Sequence, residues 1–89
     1  MYYVYILFSL KDRKLYIGFT SRLRHRLKEH FQGKNISTKS GRLFKLVYYE
    51  THLSKEDTQR RERYFKATKG KSTIKQVLRN SLCNLKQVS

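Results

Sequence analysis

Tyrosine, arginine and glutamate are the residue types in this sequence that could act on a phosphate group. Tyr5 and Tyr16 lie in two short apolar runs near the N-terminus. Arg26 lies one helical turn before His30, and Glu62 lies within the segment RRERYFK. An arginine offers a fork of donors to phosphate oxygens, and a carboxylate can hold a divalent cation. Phosphodiester hydrolysis needs such groups together with an activated water.

Other kinds of catalytic site find little support in the sequence. No serine lies on a strand-to-helix elbow, and no glycine-rich phosphate loop is present. Cys83 lies in a polar tail that offers no environment to activate a thiol. The three histidines are too dispersed for a metal site made of histidine alone, namely His25, His30 and His52. Phosphodiester hydrolysis therefore remains the candidate reaction class.

Glu62 is the acid best placed to bind a metal. The other five have ordinary explanations in a turn, a helix start, a strand end or an ion pair: Asp12, Glu29, Glu50, Glu56 and Asp57. Because Glu62 precedes Phe65 by three residues, it borders an apolar stripe and could face the sheet. Composition alone still favours an ion pair with a neighbouring arginine. Pattern alone likewise assigns Tyr5 and Tyr16 to packing, and Arg26 to a solvated helix face.

The N-terminal part of the chain predicts a β-hairpin followed by a helix. Residues 2–8 and 14–20 are rich in aromatic and β-branched residues and are joined by a polar turn. A helix with an apolar inner face is predicted over residues 22–32. Residues 33–42 are small and polar, which predicts a loop.

The C-terminal part predicts one strand and two helices. Residues 43–50 form the third strand. Ser54 begins a capping-box-like start, and the helix that it caps runs to about residue 68. Gly70 is predicted to break the chain before a last helix over residues 72–80.

The order ββαβαα predicts an α+β fold, with a small three-stranded antiparallel sheet flanked by helices. The 89 residues suffice for one domain, which we place at residues 1–81. Residues 82–89 are short, polar and without helical periodicity, which predicts a loosely ordered C-terminal tail.

The charge balance points to a polyanionic partner. Lys plus Arg number 21 and Asp plus Glu number 6, so the net charge is 21 − 6 = +15. Such an excess of positive charge is self-repulsive unless a polyanion neutralises it, and nucleic acid is the default polyanion. The single cysteine excludes an internal disulfide. Since no apolar run is long enough to span a bilayer and no signal peptide is visible, we expect a cytoplasmic protein without membrane contact.

The hairpin and first helix resemble those of the GIY-YIG nuclease superfamily. The hairpin carries Tyr3-Val4-Tyr5 and, after ten further residues, Tyr16-Ile17-Gly18. The second triplet matches the family motif, whereas the first has tyrosine where the family has glycine. The following helix resembles the family helix, which carries an arginine (here Arg26) and, one turn later, a histidine (here His30).

The C-terminal half resembles the small stand-alone bacterial members of this superfamily. The stretch LVYYE over residues 46–50 is followed by RERYFK over residues 61–66. In those members a helix carries the metal-binding glutamate just after an arginine. The resemblance covers about residues 2–80.

The resemblance implies a role for each matched residue. Tyr5 and Tyr16 match the motif tyrosines, which position or deprotonate the attacking water. Arg26 matches the arginine that binds the scissile phosphate. Glu62 matches the carboxylate that binds one divalent metal ion, Mg²⁺ or Mn²⁺. His30 matches a histidine that is often found beside the site.

The same resemblance implies how the site is arranged. Gly18 keeps the strand thin where a phosphate must approach, and Arg22, Lys39 and Lys66 are expected to contact nucleic acid with it. We expect the catalytic side chains to converge on one concave face of the sheet. We also expect the pKa of the tyrosine phenols to fall beside Arg26 and a metal ion. The family's C-terminal asparagine could correspond to either of two residues, Asn80 or Asn84.

The function implied is that of a metal-dependent bacterial endonuclease that hydrolyses DNA phosphodiester bonds in repair, recombination or DNA processing. DNA is the expected partner, RNA is left open, and a monomer is slightly favoured. The alternative is a nucleic-acid-binding module with weak or no catalysis. A third interpretation, a basic ribosome-associated protein, predicts no dependence on Glu62.

Overall fold

The structure is a computed structural model that describes residues 1–31 and 44–88. Three strands form one antiparallel sheet in the order β2-β1-β3, namely β1 (Tyr2–Ser9), β2 (Leu15–Thr20) and β3 (Phe44–His52). Four helices accompany the sheet, namely α1 (Leu23–Phe31), α2 (Lys55–Lys66), α3 (Thr68–Val77) and α4 (Arg79–Val88). The predicted α+β class and the three-stranded antiparallel sheet are confirmed. The predicted loop over residues 33–42 lies outside the described residues.

The central strand β1 is covered on both faces, which explains its unbroken apolar sequence. Val4, Ile6 and Phe8 point to the face that packs against α2, α3 and α4. Tyr5 and Leu7 point to the opposite face, where α1 packs. We call these the three-helix face and the α1 face.

The three-helix face holds the larger apolar core. Besides the three β1 side chains, its buried members come from the helices, namely Phe65, Ile74, Leu78 and Leu82. The α1 face buries fewer residues. There Leu7 and Phe44 pack against the half-buried Leu23 and Leu27 of α1.

The helix boundaries differ from the prediction around Gly70. The chain breaks at Ala67, so that α2 ends at Lys66 and α3 begins at Thr68, with Gly70 inside α3. A Cβ on Gly70 would collide with the backbone carbonyl of Tyr64. The glycine therefore lets α3 pack directly on the end of α2, rather than ending a helix. The predicted cap at Ser54 is found, since the Asp57 N–H donates to its Oγ over 3.2 Å.

The C-terminal segment also differs from the expected loose tail. Residues 79–88 form α4, and Leu82 is only 7 % exposed in the core of the three-helix face. Leu78 and Leu82 are four residues apart, and the Leu82 N–H donates to the Leu78 carbonyl over 2.8 Å. One apolar side chain per helical turn thus anchors this segment to the sheet.

None of the helices within residues 1–31 and 44–88 has the length and apolar character needed to cross a membrane.

Candidate active site

A pocket of about 580 Å³ lies along the edge strand β2. It is bounded by α1 on one face of the sheet and by α2 and α3 on the other. We call it the site pocket, and it is lined by Tyr5, Leu15, Tyr16, Ile17, Gly18, Phe19, Arg26, His30, Glu62, Lys66 and Lys71. Basic and hydroxyl-bearing side chains dominate its polar lining, which suits an anionic ligand.

Most of the site residues predicted from the sequence line this pocket. The five predicted catalytic residues all do so, namely Tyr5, Tyr16, Arg26, His30 and Glu62, and Gly18 and Lys66 lie beside them. Arg22 lies elsewhere, in a shallow hollow at the start of α1 that also contains Tyr3 and Tyr49. Lys39 lies outside the described residues.

The expected convergence of the catalytic side chains in one concavity is found, but they do not share one face of the sheet. Tyr5 and Tyr16 belong to the α1 face, whereas Glu62 comes from α2, the helix that buries Phe65 on the three-helix face. The groups meet because β2 is an edge strand, around which helices from both faces can contribute to one pocket.

Tyr5 and His30 form a buried hydrogen bond at the bottom of the site pocket. The Tyr5 hydroxyl lies 2.8 Å from His30 Nε2, and Tyr5 and His30 are each 4 % exposed. Gly18 is the register partner of Tyr5 on β2. A Cβ on Gly18 would lie 2.5 Å from Tyr5 Cζ, so the missing side chain of Gly18 is what admits the phenol ring.

Burial sets the ionisation of this pair. It raises the pKa of Tyr5 to about 12, although nearby Arg26 acts in the opposite direction. Burial, together with Arg26, also lowers the pKa of His30 below its ordinary value. At neutral pH the pair is therefore a phenol and an uncharged imidazole.

Tyr16 is held from the turn between β1 and β2. Its hydroxyl donates to Asp12 Oδ2 over 2.7 Å. This hydrogen bond raises the pKa of Tyr16 and lowers the pKa of Asp12. In the protein alone, burial at Tyr5 and a carboxylate at Tyr16 both favour the neutral phenol. The predicted fall in the phenol pKa, which assumed a bound metal ion, stays a prediction.

Glu62 is the acid of the site pocket, which it shares with three cations, namely Arg26, Lys66 and Lys71. Glu62 pairs with Lys66 on the next turn of α2, at 3.2 Å, and its side chain is 19 % exposed. The partner is a lysine rather than the neighbouring Arg61, which pairs instead with Glu50 at 2.7 Å. Arg26 lies 3.6 Å from Glu29, and its side chain is 39 % exposed, so it is accessible to a ligand.

The donor set fits a weakly held metal ion better than a closed metal site. Within residues 1–31 and 44–88 no group of three or more His, Cys, Asp or Glu side chains could enclose a cation. Mg²⁺ is commonly held by one or two carboxylates, with waters and substrate phosphates completing the coordination. Glu62, which faces an open basic pocket, suits that arrangement.

Two residues at the site were missed by the sequence analysis. Asp12 was assigned only to a turn, yet it holds the hydroxyl of Tyr16. Its spacing of four residues from Tyr16 across a tight hairpin is a signal that could have revealed the contact. Lys71 lines the pocket from α3, and its position depends on the packing of Gly70 against α2, which the sequence does not reveal.

Comparison with known proteins places the chain in a family. The sequence profile described as the GIY-YIG catalytic domain matches residues 1–75. This chain belongs to the GIY-YIG family. That family is one of nucleases that act on DNA and generally use divalent metal ions.

Bacterial relatives of the GIY-YIG chain carry the name UPF0213. One from Clostridium perfringens is 45 % identical over 67 residues, which cover 74 % of this chain and 71 % of the relative. One from Staphylococcus haemolyticus is 36 % identical over 77 residues, covering 85 % of this chain and 93 % of the relative. These names state no activity.

A solved structure supports the fold of this GIY-YIG chain. The solution NMR structure of a UPF0213 protein from Bacillus halodurans superposes with a TM-score of 0.55 at 34 % identity. It covers 86 % of this chain and 85 % of that protein. The two chains therefore share a fold over most of their lengths.

Proposed function

We propose that this GIY-YIG chain is a metal-dependent endonuclease that hydrolyses DNA phosphodiester bonds in the bacterial cytoplasm, in repair, recombination or DNA processing. The observation that carries the proposal is the grouping of five side chains around one open pocket, namely Tyr5, Tyr16, Arg26, His30 and Glu62. They come from β1, β2, α1 and α2. A purely structural role does not require an arginine, a glutamate and two tyrosines to share one solvent-accessible pocket.

Tyr5 and His30 are proposed to accept the proton of the attacking water in two short transfers. In the tautomer that carries hydrogen on Nδ1, His30 Nε2 accepts the hydroxyl hydrogen of Tyr5. The phenol oxygen then has a lone pair for a water hydrogen. As the water oxygen attacks phosphorus, its proton moves to the Tyr5 oxygen and the Tyr5 proton moves to His30 Nε2. The uncharged imidazole, favoured by its lowered pKa, is the form that can receive it.

Tyr16 is proposed to orient the same water. Because the Tyr16 hydroxyl hydrogen is directed to Asp12, the Tyr16 oxygen can accept a hydrogen bond from a water molecule in the site pocket. Asp12 is therefore a positioning residue, since it fixes the direction in which the Tyr16 oxygen presents its lone pair.

Arg26 is proposed to bind the scissile phosphate. Its exposed guanidinium can offer two parallel N–H donors to the non-bridging oxygens. Those contacts strengthen as negative charge builds on the oxygens in the transition state. Lys66 can contact a neighbouring oxygen when a metal replaces it at Glu62.

Glu62 is proposed to hold one divalent metal ion, Mg²⁺ or Mn²⁺. When bound, the ion would neutralise charge on the phosphate and on the leaving oxygen. The protein itself contributes the single carboxylate, and substrate and water supply the other ligands.

The variant Glu62→Gln tests this function directly. The substitution keeps the shape of the side chain but removes its charge, so cleavage of DNA with Mg²⁺ or Mn²⁺ should fall by about 100-fold or more. DNA affinity should hold or increase, because a negative charge near the phosphates is lost. The melting temperature should change little, since one partly exposed ion pair contributes about 1 kcal/mol or less.

Glu56→Gln is the matched control. It removes the same charge from the same helix, at an exposed first-turn position away from the site pocket. Cleavage by Glu56→Gln should match the wild type. Full cleavage by Glu62→Gln, on a panel of single-stranded, duplex, flap and branched DNA, would refute the metal assignment.

A second candidate function is binding of nucleic acid without efficient cleavage. It is favoured by the ion pair between Glu62 and Lys66 and by the raised pKa of Tyr5, both of which oppose catalysis in the metal-free protein. This function predicts that the wild type binds the whole panel but cleaves no member of it with either metal.

A further inference from the structure

A second pocket lies next to the site pocket and differs from it in composition. It has a volume of about 290 Å³, and Leu15 and Lys71 line both pockets. Its charged lining consists only of cations, namely Arg13, Lys14, Lys71 and Lys75. Phe8 and Leu82 form its apolar floor. We call it the turn pocket, because two of its cations come from the turn between β1 and β2.

The four cations form no salt bridge in the described part of the chain, since none of the ion pairs within residues 1–31 and 44–88 includes any of them. Four like charges around one small cavity repel one another. Asp12 of the same turn offsets part of this repulsion, since its pKa is lowered by the hydrogen bond from Tyr16 and, to a smaller extent, by the charge of Lys14. An anion in the turn pocket would offset the rest.

Arg13 adds an independent observation. Its φ is 58°, in the left-handed region, and it is the one non-glycine residue with positive φ in the described part of the chain. The turn is fixed by two backbone hydrogen bonds, from Arg13 N–H to the Ser9 carbonyl at 2.8 Å and from Ser9 N–H to the Lys14 carbonyl at 2.9 Å.

Glycine would adopt this backbone conformation without strain, and asparagine or aspartate with little. An arginine at this position therefore strains the backbone of the turn. The hairpin turn itself requires the positive φ, and strained positions cluster at functional sites, so the Arg13 guanidinium is a candidate ligand-binding group.

The same turn connects the two pockets. Asp12 holds the Tyr16 hydroxyl of the site pocket and also accepts the backbone N–H of Lys14 at 3.1 Å. Residues on either side of one hydrogen-bonded turn thus face adjacent cavities. A chain of phosphates entering the site pocket would pass Lys71 and reach the turn pocket.

We propose that the turn pocket is a second phosphate subsite, which holds a backbone phosphate of the same nucleic-acid strand beside the scissile one. This proposal rests on the proposed function, in which the site pocket takes the scissile phosphate. Lysine and arginine bind the phosphate backbone without contacting base edges, so the subsite positions the strand and does not select its sequence.

The test uses Arg13→Gly and Lys75→Gln, alone and combined, with Lys45→Gln as the matched control. Lys45 is an exposed cation of β3, paired in register with Phe8 and outside both pockets. The probe is a fluorescein-labelled oligonucleotide, as the single strand or its duplex, whichever the wild type binds more tightly. The dissociation constant is measured between low and high salt for several unrelated sequences.

Each of the two variants should lower the salt slope of binding by about 1, and the double variant by about 2. The loss of affinity should be the same for every sequence. Lys45→Gln should keep the wild-type slope. Arg13→Gly should melt at the same temperature as the wild type or higher, because glycine relieves the strained φ.

Wild-type salt slopes in both Arg13→Gly and Lys75→Gln would overturn the subsite. An equal decrease of the salt slope in Lys45→Gln would also overturn it, since loss of any surface cation would then explain the effect. The Glu62→Gln cleavage result decides the proposed function separately. If cleavage depends on Glu62 but neither turn-pocket variant alters binding, the subsite fails and the nuclease function stands.

Discussion

The three-helix face and the α1 face of the sheet bury different kinds of side chain. The three-helix face buries a large apolar cluster from β1, α2, α3, Leu78 and α4. The polar Thr58 buried on α2 bonds only within its own helix start, where its hydroxyl donates to the Ser54 carbonyl over 2.7 Å. The α1 face buries Leu7 and Phe44 together with a tyrosine and a histidine that hydrogen-bond to each other. Both faces share β1, so the difference arises from alternate residues of a single strand.

The difference indicates how a small domain can combine stability with a reactive site. Burying apolar groups on one face supplies most of the favourable free energy of folding. The other face can then hold polar groups whose burial is costly unless they are hydrogen-bonded. Tyr5 and His30 meet that condition through each other, and their ionisation is tuned by the same burial.

The largest expected effect comes from Phe65→Ala. Phe65 is 3 % exposed, and its ring packs against Tyr48 and the guanidinium of Arg61. Truncation should lower the free energy of unfolding by about 3–5 kcal/mol. Phe44→Ala, on the α1 face, should cost at least about 1 kcal/mol less, because part of its surroundings, including Tyr16 and the apolar side chains of α1, is only half-buried and can rearrange. Urea unfolding of both variants checks the comparison, and equal losses would contradict it.

Leu82→Ala tests whether α4 belongs to the three-helix face. Loss of this buried side chain should lower the free energy of unfolding by about 2–3 kcal/mol. The control is Val77→Ala, at a position that is 65 % exposed, where the change should stay within about 0.5 kcal/mol. Thermal and urea unfolding measure both. A change at Leu82 as small as that at Val77 would restore the expectation of a dispensable tail.

Alanine substitutions at two glycines should distinguish a change in folding stability from a change in cleavage activity. Gly70→Ala would meet the rigid backbone of Tyr64 and should cost about 1–3 kcal/mol of stability. Gly18→Ala would collide with the buried ring of Tyr5, which must shift and weaken its hydrogen bond to His30, and should also cost about 1–3 kcal/mol.

Cleavage measured on the same two variants completes the test. Gly18→Ala should lose more activity than Gly70→Ala at a temperature where both are folded, because it displaces Tyr5 from His30. The opposite ranking would mean that the Tyr5 position is unimportant for the reaction.

The smallest expected effect is a pH dependence of stability that arises from His30. Its pKa in the folded protein lies below the ordinary value of 6.5. Above pH 6.5 neither state binds a proton there, so its contribution to stability is fully present. As the pH falls from 6.5 through the lower folded value, the unfolded chain binds the proton first, and stability is lost.

Urea unfolding between pH 8 and pH 5 measures this loss. His30→Gln should show a weaker dependence on pH than the wild type over that range. His25→Gln, at an exposed position of the same helix, serves as the control and should retain the wild-type dependence. Identical curves for all three proteins would show that His30 is not held neutral by burial.

The sequence alone was sufficient for the fold class and for the composition of the site. Alternating apolar residues and the cap at Ser54 predicted the three strands and the start of α2, because these signals act over a few residues. The grouping of Tyr5, Tyr16, Arg26 and Glu62 came from the resemblance to the GIY-YIG motifs, because their pattern alone favoured packing, solvent exposure and an ordinary ion pair. Each of these signals is local or depends on a motif that can be read in one dimension.

Tertiary packing determined the structure around Gly70 and Leu82, which local sequence signals did not predict. Gly70 is read locally as a helix stop, yet it lies within α3 because another helix approaches its Cα. Leu82 is read locally as part of a polar tail, yet α4 buries it against the sheet. In both cases the partner is distant in sequence or on another element, so no local pattern identifies it.

The chemistry of the site likewise depended on the environment rather than on residue type. The sequence determined that two phenols would be present, but only the fold buried Tyr5 against His30 and directed Tyr16 to Asp12. In the protein alone, these contacts raise the pKa of both phenols. A pKa responds to desolvation and to charges within a few ångströms. Those distances come into being only when β2, α1 and α2 pack around the same edge of the sheet.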